Sequence, residues 1–281
     1  TSLNMSIFTP QAYLGGPPTS PTPPPTWLPS NNPSLAGWYD ASDMSSHINS
    51  GGAIVGLESQ DIYGDDLGAI GSTIQLGSQQ NNLNTLYFNG VNALYNNSTD
   101  VLVSPIGNHY AVGLFYPQDV GNVKDSIWGM KGTRDYAIAA QMSNQWRGEI
   151  DLGNGVASNG SLGSFSTNRE NQWIIVTILF NKTNLQSIDI KINGDVNFSQ
   201  STSYLNTLTS SQKLRIMTNR GKNYDQKGRF GELMLYKNSS GPNSTDWHEY
   251  SDKDEGYLAW KWGLQGNLPN AHPYKNAAPI P

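Results

Sequence analysis

The sequence predicts an all-β protein, a two-sheet antiparallel jelly-roll sandwich with one short C-terminal helix and an extended N-terminal arm. Composition is the first reason, since only 36% of the 281 residues are apolar and 14% are charged. The 29 glycines and the many Asn, Ser and Thr residues indicate frequent turns and polar strand faces. The second reason is a series of short apolar runs at regular spacing, and the third is a single helical pattern near the C-terminus.

An extended Pro-rich arm is predicted for residues 1–34. Residues 17–25 read P-P-T-S-P-T-P-P-P, which is typical of polyproline II and supports no core of its own. Such a segment is either a flexible linker or an arm that docks on a neighbouring subunit or on its own domain. We expect a docked arm that serves in assembly. Its apolar anchors would be Phe8, Tyr13, Leu14, Trp27 and Leu28.

Residues 35–281 are predicted to form one sandwich domain. Between residues 44 and 85, Gly, Ser and Asn surround short apolar pieces, so we expect loops and edge strands there. Residues 110–116, Y-A-V-G-L-F-Y, are apolar on both faces and suit a central strand. A short strand that ends in an Asn-Gly turn is predicted at residues 85–90, and strands at hairpin spacing are predicted at residues 126–130, 135–142 and 145–152.

The second half of the domain contains the strongest strand signals. Residues 173–180, W-I-I-V-T-I-L-F, form the most apolar run, and their β-branched content predicts a buried strand. In residues 187–198, apolar and polar positions alternate on either side of Asn193-Gly194, which predicts a hairpin with a tight turn. The last strands are predicted at residues 214–217 and 230–236.

A helix is predicted at about residues 251–263. The pattern S-D-K-D at residues 251–254 is that of a capping box, and Gly263 supplies a stop. Leu258 and Trp262 stack one turn apart on its apolar stripe. We expect this helix to close the end of the sandwich, with both side chains in the core.

Charge and residue content exclude several classes of protein. The formal net charge is −5 and the 17 Lys and Arg residues are scattered, so we expect no nucleic-acid binding. Cysteine is absent, which excludes disulfides and thiolate metal sites, and the four histidines lack metal-pair spacing. No apolar run approaches a membrane span. The N-terminus lacks a signal-peptide pattern, so we expect no secretory passage unless a signal was removed before Thr1.

The ordered series of segments in the body is more informative than any one of them. The segments are L-A-G-W-Y-D-A-S-D (35–43), L-Y-F-N-G-V-N-A-L (86–94), the strand at 110–116, Q-W-I-I-V-T-I-L-F (172–180), I-K-I-N-G (190–194), L-R-I-M-T-N-R-G (214–221), F-G-E-L-M-L-Y (230–236) and E-G-Y-L-A-W-K-W-G-L (255–264). Over roughly residues 35–275 the chain resembles the concanavalin A-like lectin/glucanase superfamily, in its laminin-G-like jelly-roll branch. The resemblance implies a role of the kind such domains often have in bacteriophage and other viral structural proteins, and in bacterial surface proteins.

An acidic pattern at residues 147–153, R-G-E-I-D-L-G, bears on enzymatic activity. The resemblance implies that laminarinase-type glycosidases carry three acids at alternate positions of one strand, hence on one face. Glu149 and Asp151 match the first two, but the third would fall at Gly153 or Asn154. Because the missing group would protonate the leaving oxygen, we expect a non-enzymatic protein.

Acidic residues in the first third of the chain are candidates for a structural calcium ion, since that cation prefers oxygen ligands. The candidates are Asp40 and Asp43, with Asp61, Asp65 and Asp66 further along the chain. Their spacing fits no EF-hand loop. Turn capping by the side chains of Asp40 and Asp43 is the favoured interpretation, and no other cofactor is expected.

A glycan-binding site needs exposed aromatic rings beside amide and charged groups. Four candidates lie where the concave sheet is expected, and two lie in the polar loop at residues 219–229. They are Trp128, Arg134, Tyr136 and Trp146, and Tyr224 and Asp225. The alternative for the aromatic residues on strands is burial in the sandwich core.

We therefore expect a non-enzymatic structural protein of a virion, of the capsid-decoration or head-fibre type. The N-terminal arm would anchor it, and the sandwich would project from the virion surface. Its partners would be other virion or surface proteins, including further copies of itself. The alternative is a carbohydrate-binding module or a tail-fibre adhesin for host-surface glycans, located extracellularly or on the surface of a bacterium.

Overall fold

The fold is seen in a computed structural model of the chain. It describes residues 26–61, 64–96, 109–118, 125–131, 135–141, 145–151, 160–165, 169–181, 187–201, 213–218, 226–237 and 244–281. These residues form two antiparallel β-sheets, of eight and nine strands, and one C-terminal α-helix. The predicted all-β sandwich with a C-terminal helix is thereby confirmed.

Sheet A, the eight-stranded sheet, contains the most apolar strands. Its strands are β1 (Leu35–Asp40), β5 (Gln75–Leu76), β6 (Leu86–Asn89), β8 (His109–Gln118), β13 (Ile174–Asn181), β14 (Ser187–Ile192), β15 (Asp195–Ser201) and β17 (Lys227–Lys237). Their order is β15-β14-β13-β8-β17-β6-β5, and β1 also pairs with β17. The run predicted as a central strand, β8, therefore lies in the middle of its sheet.

Sheet B, the nine-stranded sheet, packs against the inner face of sheet A. Its strands are β2 (His47–Ser50), β3 (Ala53–Leu57), β4 (Leu67–Gly71), β7 (Asn92–Tyr95), β9 (Asp125–Lys131), β10 (Asp135–Gln141), β11 (Gln145–Asp151), β12 (Gly160–Phe165) and β16 (Lys213–Ile216). Their order is β12-β11-β10-β9-β16-β7-β4-β3-β2. The segment predicted to form loops and edge strands supplies β2 to β5, of which β2 and β5 are outermost in their sheets.

The core lies between the two sheets because side chains alternate along each strand. On β8, Ala111 and Phe115 enter this core, whereas Tyr110, Val112 and Leu114 belong to a second apolar cluster on the outer face of sheet A. All five side chains are buried. A strand that is apolar on both faces, as predicted for residues 110–116, therefore requires a cover on the outer side.

The predicted hairpin connects β14 to β15 through Asn193 and Gly194. Their φ angles of 53° and 85° are those of a type I′ turn, which matches the twist of paired strands. The turn is also tied to β13, since Asn193 N–H donates to Ile175 O at 2.8 Å and Ile175 N–H donates to Asn193 Oδ1 at 2.8 Å. The hairpin prediction is confirmed.

The helix, α1 (Ser244–Lys261), begins earlier than predicted. Ser251, the expected cap, lies inside the helix, where its Oγ donates a 2.9 Å hydrogen bond to His248 O. The capping-box prediction was wrong because Asp254, the expected partner of that cap, is buried and bonded to other elements. The predicted apolar stripe is confirmed, since Leu258 and Trp262 are fully buried.

Among the described residues no helix combines the length and apolar content needed to cross a membrane.

The helix lies across the outer face of sheet A and not at the end of the sandwich. It contacts β8 and β13, and it shares an apolar cluster with the outward residues Val112, Leu114 and Ile175. The expectation that it closes the sandwich end was therefore wrong. The physical reason is that the outer faces of these two strands are themselves apolar and need covering.

The two ends of the described chain meet beside α1. Trp27 N–H donates to Pro279 O at 3.1 Å, and the Trp27 side chain is buried in the cluster under the helix. This predicted anchor thus docks on its own chain, while Leu28 is 45% exposed. Phe8, Tyr13 and Leu14 lie outside the described residues.

Candidate binding surface

The aromatic residues predicted to bind glycans lie on three adjacent strands of sheet B. The backbone register places Trp128 opposite Ile138 and Ile216, Tyr136 opposite Met130, and Trp146 opposite Ala140. Only the backbone of these three residues is described. Arg134, Tyr224 and Asp225 lie outside the described residues, so this site stays a prediction.

The two acids of the glycosidase-like pattern lie on β11. Glu149 is opposite Ala137 and Asp151 is opposite Asp135 in the register with β10. Gly153 and Asn154, where the third acid is missing, lie outside the described residues. The expectation of a non-enzymatic protein stays a prediction.

The two calcium candidates form local turn contacts. Asp40 is 5% exposed, accepts a 2.8 Å hydrogen bond from Ser42 N, and pairs with Lys261 Nζ at 2.5 Å. Asp43 caps a short 3₁₀ helix by accepting from Ser45 N at 2.9 Å. The hydrogen bonds from Ser45 lower the pKa of Asp43. Turn capping, the interpretation favoured from the sequence, is confirmed for both residues.

A part of the outer face of sheet A remains open to solvent and carries aromatic, amide and cationic side chains. Two register rows cross β6, β17 and β8 there, and the first row also reaches β5. The first row is Gln75, Tyr87, Arg229 and Tyr116, and the second is Asn89, Lys227 and Gln118. All are exposed or half-buried. We call these residues the Arg229 platform.

Arg229 is held in place without using its hydrogen-bond donors. Its guanidinium carbon lies 4.7 Å from the centroid of the Tyr116 ring, a cation–π distance. Its aliphatic stem passes over Gly77, where an added Cβ would come within 3.4 Å of Arg229 Cδ. Within the described part of the chain, no carboxylate pairs with Arg229 and no hydrogen bond engages its guanidinium.

Two further aromatic rings pack in series behind Tyr116. The Tyr116 and Trp173 centroids are 5.3 Å apart, and those of Trp173 and Trp262 are 6.2 Å apart. Trp173 and Trp262 are buried. These rings join the platform to the C-terminal end of α1, so the ring of Tyr116 has a defined position.

Lys227 lies beside Arg229 because the two residues are two apart on one strand and therefore on one face, about 7 Å apart along the chain. Between them, Gly228 has a φ of 153°, and a Cβ there would lie 2.3 Å from Tyr116 O. Only glycine permits this close approach of β17 to β8. Gln226 Nε2 then bonds both strands, donating to Gln118 O and Lys227 O at 2.7 Å.

The platform combines chemical groups that suit a sugar. Tyrosine rings offer flat apolar faces to the C–H groups of a sugar ring, and the hydroxyl groups can bond at the ring edge. Side-chain amides donate and accept, which matches sugar hydroxyls, and the two cations add charge-assisted donors. Because the side chains stand on paired strands, little order is lost when a ligand binds.

The predicted site residues do not include the Arg229 platform, although a local signal exists. Tyr87 alternates with the buried residues Leu86 and Phe88, and Lys227 and Arg229 alternate with buried Gly228 and Phe230. This alternation indicates polar outward faces. Which strands are neighbours is decided by the topology, and the sequence pattern contains no such information.

Elsewhere, buried carboxylates of the described chain bind α1 to sheet A. Asp254 accepts hydrogen bonds from Trp27 Nε1 at 2.9 Å and from Tyr110 OH at 2.8 Å. Asn32 Nδ2 donates to the same Tyr110 hydroxyl at 2.7 Å. Burial raises the pKa of Asp254 to about 7, although these hydrogen bonds oppose the rise.

Glu232, on β17, is the acceptor for a second group of α1 contacts. It accepts from Trp38 Nε1 at 2.7 Å, from Trp262 Nε1 at 2.9 Å and from Lys261 Nζ at 2.8 Å. Burial, followed by the nearby carboxylate of Asp40, raises the pKa of Glu232 despite the opposing charge of Lys261. This ion group fixes the C-terminal end of α1.

A third group contains Asp252, Glu255 and His272, whose ligand atoms lie within 4.8 Å of one another. Lys191 Nζ is already the cation there, at 2.6 Å from Asp252 Oδ1 and 3.4 Å from Glu255 Oε1. Burial alone would raise the pKa of Glu255, but the hydrogen bond from His272 and the charge of Lys191 outweigh it and lower that pKa.

The tautomer of His272 also argues against a metal at this group. Tyr274 N–H donates to His272 Nδ1 at 3.2 Å, so the neutral ring carries its proton on Nε2, which donates to Glu255 Oε2 at 3.1 Å. A metal ligand at Nε2 would need that proton removed. The group is therefore an ion-pair network that positions α1.

Comparisons with known proteins bear on the fold. No protein-family model and no curated protein matches this sequence. The structure is similar to domain 4 of AbnA, a GH43 extracellular arabinanase of Geobacillus stearothermophilus, in complex with arabinotriose. The TM-score is 0.53, with 15% identity over 73% of this chain and 92% of that one.

Two toxin domains are similar to the same degree. The binding domain of Paraclostridial mosquitocidal protein 1 has a TM-score of 0.51 and 14% identity over 81% of this chain and 53% of its own. The binding domain of botulinum neurotoxin DC, in complex with rat synaptotagmin II, has a TM-score of 0.51 and 13% identity over 78% and 51%. This chain thus spans about half the length of each toxin domain. At these identities the similarity establishes the fold alone, a β-sandwich consistent with the concanavalin-like jelly-roll type that the sequence predicts.

Proposed function

We propose that this chain is a non-enzymatic carbohydrate-binding domain and that the Arg229 platform is its binding surface. The observation that carries the proposal is the open row of Tyr87, Arg229 and Tyr116 on paired strands. The similar structures lend support, because one is a domain in complex with arabinotriose and two are toxin binding domains. Carbohydrate binding was the alternative function that the sequence predicted, beside a structural role in a virion.

Binding would follow from stacking and hydrogen bonding on a preformed surface. A sugar ring would lie on Tyr87, with its hydroxyls facing Gln75, Asn89 or Gln118. The guanidinium of Arg229 already lies against the Tyr116 ring before binding, so its donors lose little freedom. Specificity then depends on which hydroxyls and charges meet these donors.

The test is an array of plant, bacterial and animal oligosaccharides, followed by titration calorimetry of the hits with the full chain. Tyr87→Ala should weaken binding by at least about tenfold, or about 1.4 kcal/mol. Tyr250→Ala, a half-buried tyrosine of α1, is the matched control and should bind normally.

Two results would contradict the proposal. Absence of binding to every oligosaccharide on the array would contradict the proposed carbohydrate-binding function. Loss of binding in Trp128→Ala or Trp146→Ala, with Tyr87→Ala unaffected, would transfer the site to sheet B and to the residues predicted from the sequence. Circular dichroism of each variant separates loss of binding from loss of fold.

We also propose that the domain has no hydrolytic activity. The acids that α1 buries, Glu232, Asp254 and Glu255, are each fully buried and bonded to protein groups, so a substrate cannot reach them. Incubation of the full chain with every glycan that it binds should release no reducing ends. Turnover that Glu149→Gln abolishes would contradict this.

The location proposed for such a domain is the surface of a virion, with the surface of a bacterium as the alternative. Glycan binding is useful at either surface, and capsid decoration, head-fibre assembly and self-association remain predictions. Immunogold electron microscopy of native particles and cells would distinguish the two. For a test of the assembly arm, deletion should end before Thr26, because Trp27 and Asn32 are buried against the domain.

A further inference from the structure

We propose that the Arg229 platform selects acidic oligosaccharides, those that carry a carboxylate or sulfate group, over neutral ones. This inference rests on the proposed carbohydrate-binding function and adds the chemical class of the ligand. The two cations of the platform, Lys227 and Arg229, would recognise the acidic group.

The cations of the platform differ from other cations of the molecule. Lys191, Lys253 and Lys261 each pair with a carboxylate, at 2.6 Å, 3.3 Å and 2.5 Å respectively. Within the residues that the structure describes, neither Lys227 nor Arg229 has such a partner. This is notable in a chain with 22 Asp and Glu against 17 Lys and Arg.

The residues paired with the two cations on the neighbouring strands are neutral. Their register partners on β6 and β8 are Asn89 and Gln118 for Lys227, and Tyr87 and Tyr116 for Arg229. Two like charges on one strand face repel each other, and an anion bound between them would relieve that repulsion. Within the described part of the chain, the platform therefore carries two cations that no carboxylate pairs with, in a protein whose formal net charge is −5.

The geometry of Arg229 suits a planar or tetrahedral anion. Its guanidinium carbon lies 4.7 Å from the centroid of the Tyr116 ring, and among the described residues no hydrogen bond uses its donors. A guanidinium in this state forms two parallel hydrogen bonds to a carboxylate or sulfate. Lys227, about 7 Å along the strand, then supplies a second charge to the same group or to an adjacent sugar.

The experiment uses matched pairs of ligands with the full chain in titration calorimetry. One pair is a galacturonic acid trisaccharide and its methyl ester, and the other is a sulfated trisaccharide and its desulfated form. We expect the acidic member of at least one pair to bind at least tenfold more tightly. The advantage should shrink as ionic strength rises. The pair that shows the advantage distinguishes carboxylate from sulfate.

Two charge variants complete the test. Lys227→Gln should lose most of the tenfold advantage of the acidic ligand over its neutral partner. Lys237→Gln, at the other end of β17, is the control and should keep the advantage. Equal affinity within both pairs, or array hits that are all neutral glycans, would overturn the acidic preference and leave the proposed function standing. Absence of binding to any glycan would overturn the function itself.

Discussion

Trp27 Nε1 donates a 2.9 Å hydrogen bond to Asp254 Oδ1, a residue 227 positions further along the chain. The bond joins the segment before β1 to the middle of α1. Both groups are buried, and the carboxylate also accepts from Tyr110 of β8. One carboxylate thereby connects the N-terminal segment, the helix and the central strand of sheet A.

Removing this donor should destabilise the fold without changing its shape. Trp27→Phe keeps most of the apolar contact and leaves the buried carboxylate with one donor fewer, which costs about 1–3 kcal/mol. The loss should be larger at pH 8, where Asp254 is ionised, than at pH 5. Urea unfolding followed by circular dichroism measures it. Leu28→Ala, at the exposed neighbour, is the control and should change stability by less than about 0.5 kcal/mol.

Asp254 should make the stability depend on pH in an unusual direction. Burial raises its pKa to about 7, so the folded state keeps a proton that the unfolded state releases near its ordinary pKa of 3.8. The unfolded state therefore binds fewer protons, and the contribution of this group to stability falls as pH rises from about 4 to about 7. The full effect is about 4 kcal/mol.

The comparison of wild type with Asp254→Asn isolates this effect. The variant cannot ionise, so it should gain stability relative to the wild type as pH rises through that window. Parallel stability curves for the two proteins between these pH values would show that Asp254 ionises normally in the folded state.

Loss of Lys191 should be severe because it leaves the buried Glu255 and the half-buried Asp252 without their lysine partner. Lys191→Met removes the partner of Asp252 and of Glu255, and we expect a cost of about 3–5 kcal/mol at neutral pH. Glu249→Gln disrupts the exposed pair with Lys253 and should cost less than about 0.5 kcal/mol. Thermal and urea unfolding measure both, and similar costs for the two variants would refute the structural role of the Lys191 group.

Lys261→Met should produce a destabilisation that increases with pH. Without Lys261, the carboxylates of Asp40 and Glu232 face each other unpaired, at a cost of about 3–5 kcal/mol at neutral pH. Burial already raises the pKa of Glu232, so this group takes up a proton readily as the pH falls. The difference from wild type should therefore narrow in acid. A difference that is constant across pH would contradict this account.

Much of the fold could be predicted because its signals are local. The alternation in β14, the Asn193-Gly194 turn and the apolar run of β13 each depend on residues close together in the chain. The start of α1 was predicted incorrectly because S-D-K-D at residues 251–254 matches the sequence of a capping box. In the structure Ser251 bonds within α1, and Asp254 accepts a hydrogen bond from Tyr110 of sheet A.

The sequence by itself determined the all-β class, the positions of most strands and the apolar stripe of Leu258 and Trp262. These features could be predicted because alternation and turn formation depend on residues that are close together in the chain. Only the tertiary structure decided that α1 lies on the face of sheet A and that Tyr87, Arg229 and Tyr116 are neighbours. The reason is that strand order arises from contacts between distant segments. That Lys227 and Arg229 lie beside Tyr87, Tyr116, Asn89 and Gln118 can be seen only when that order is known.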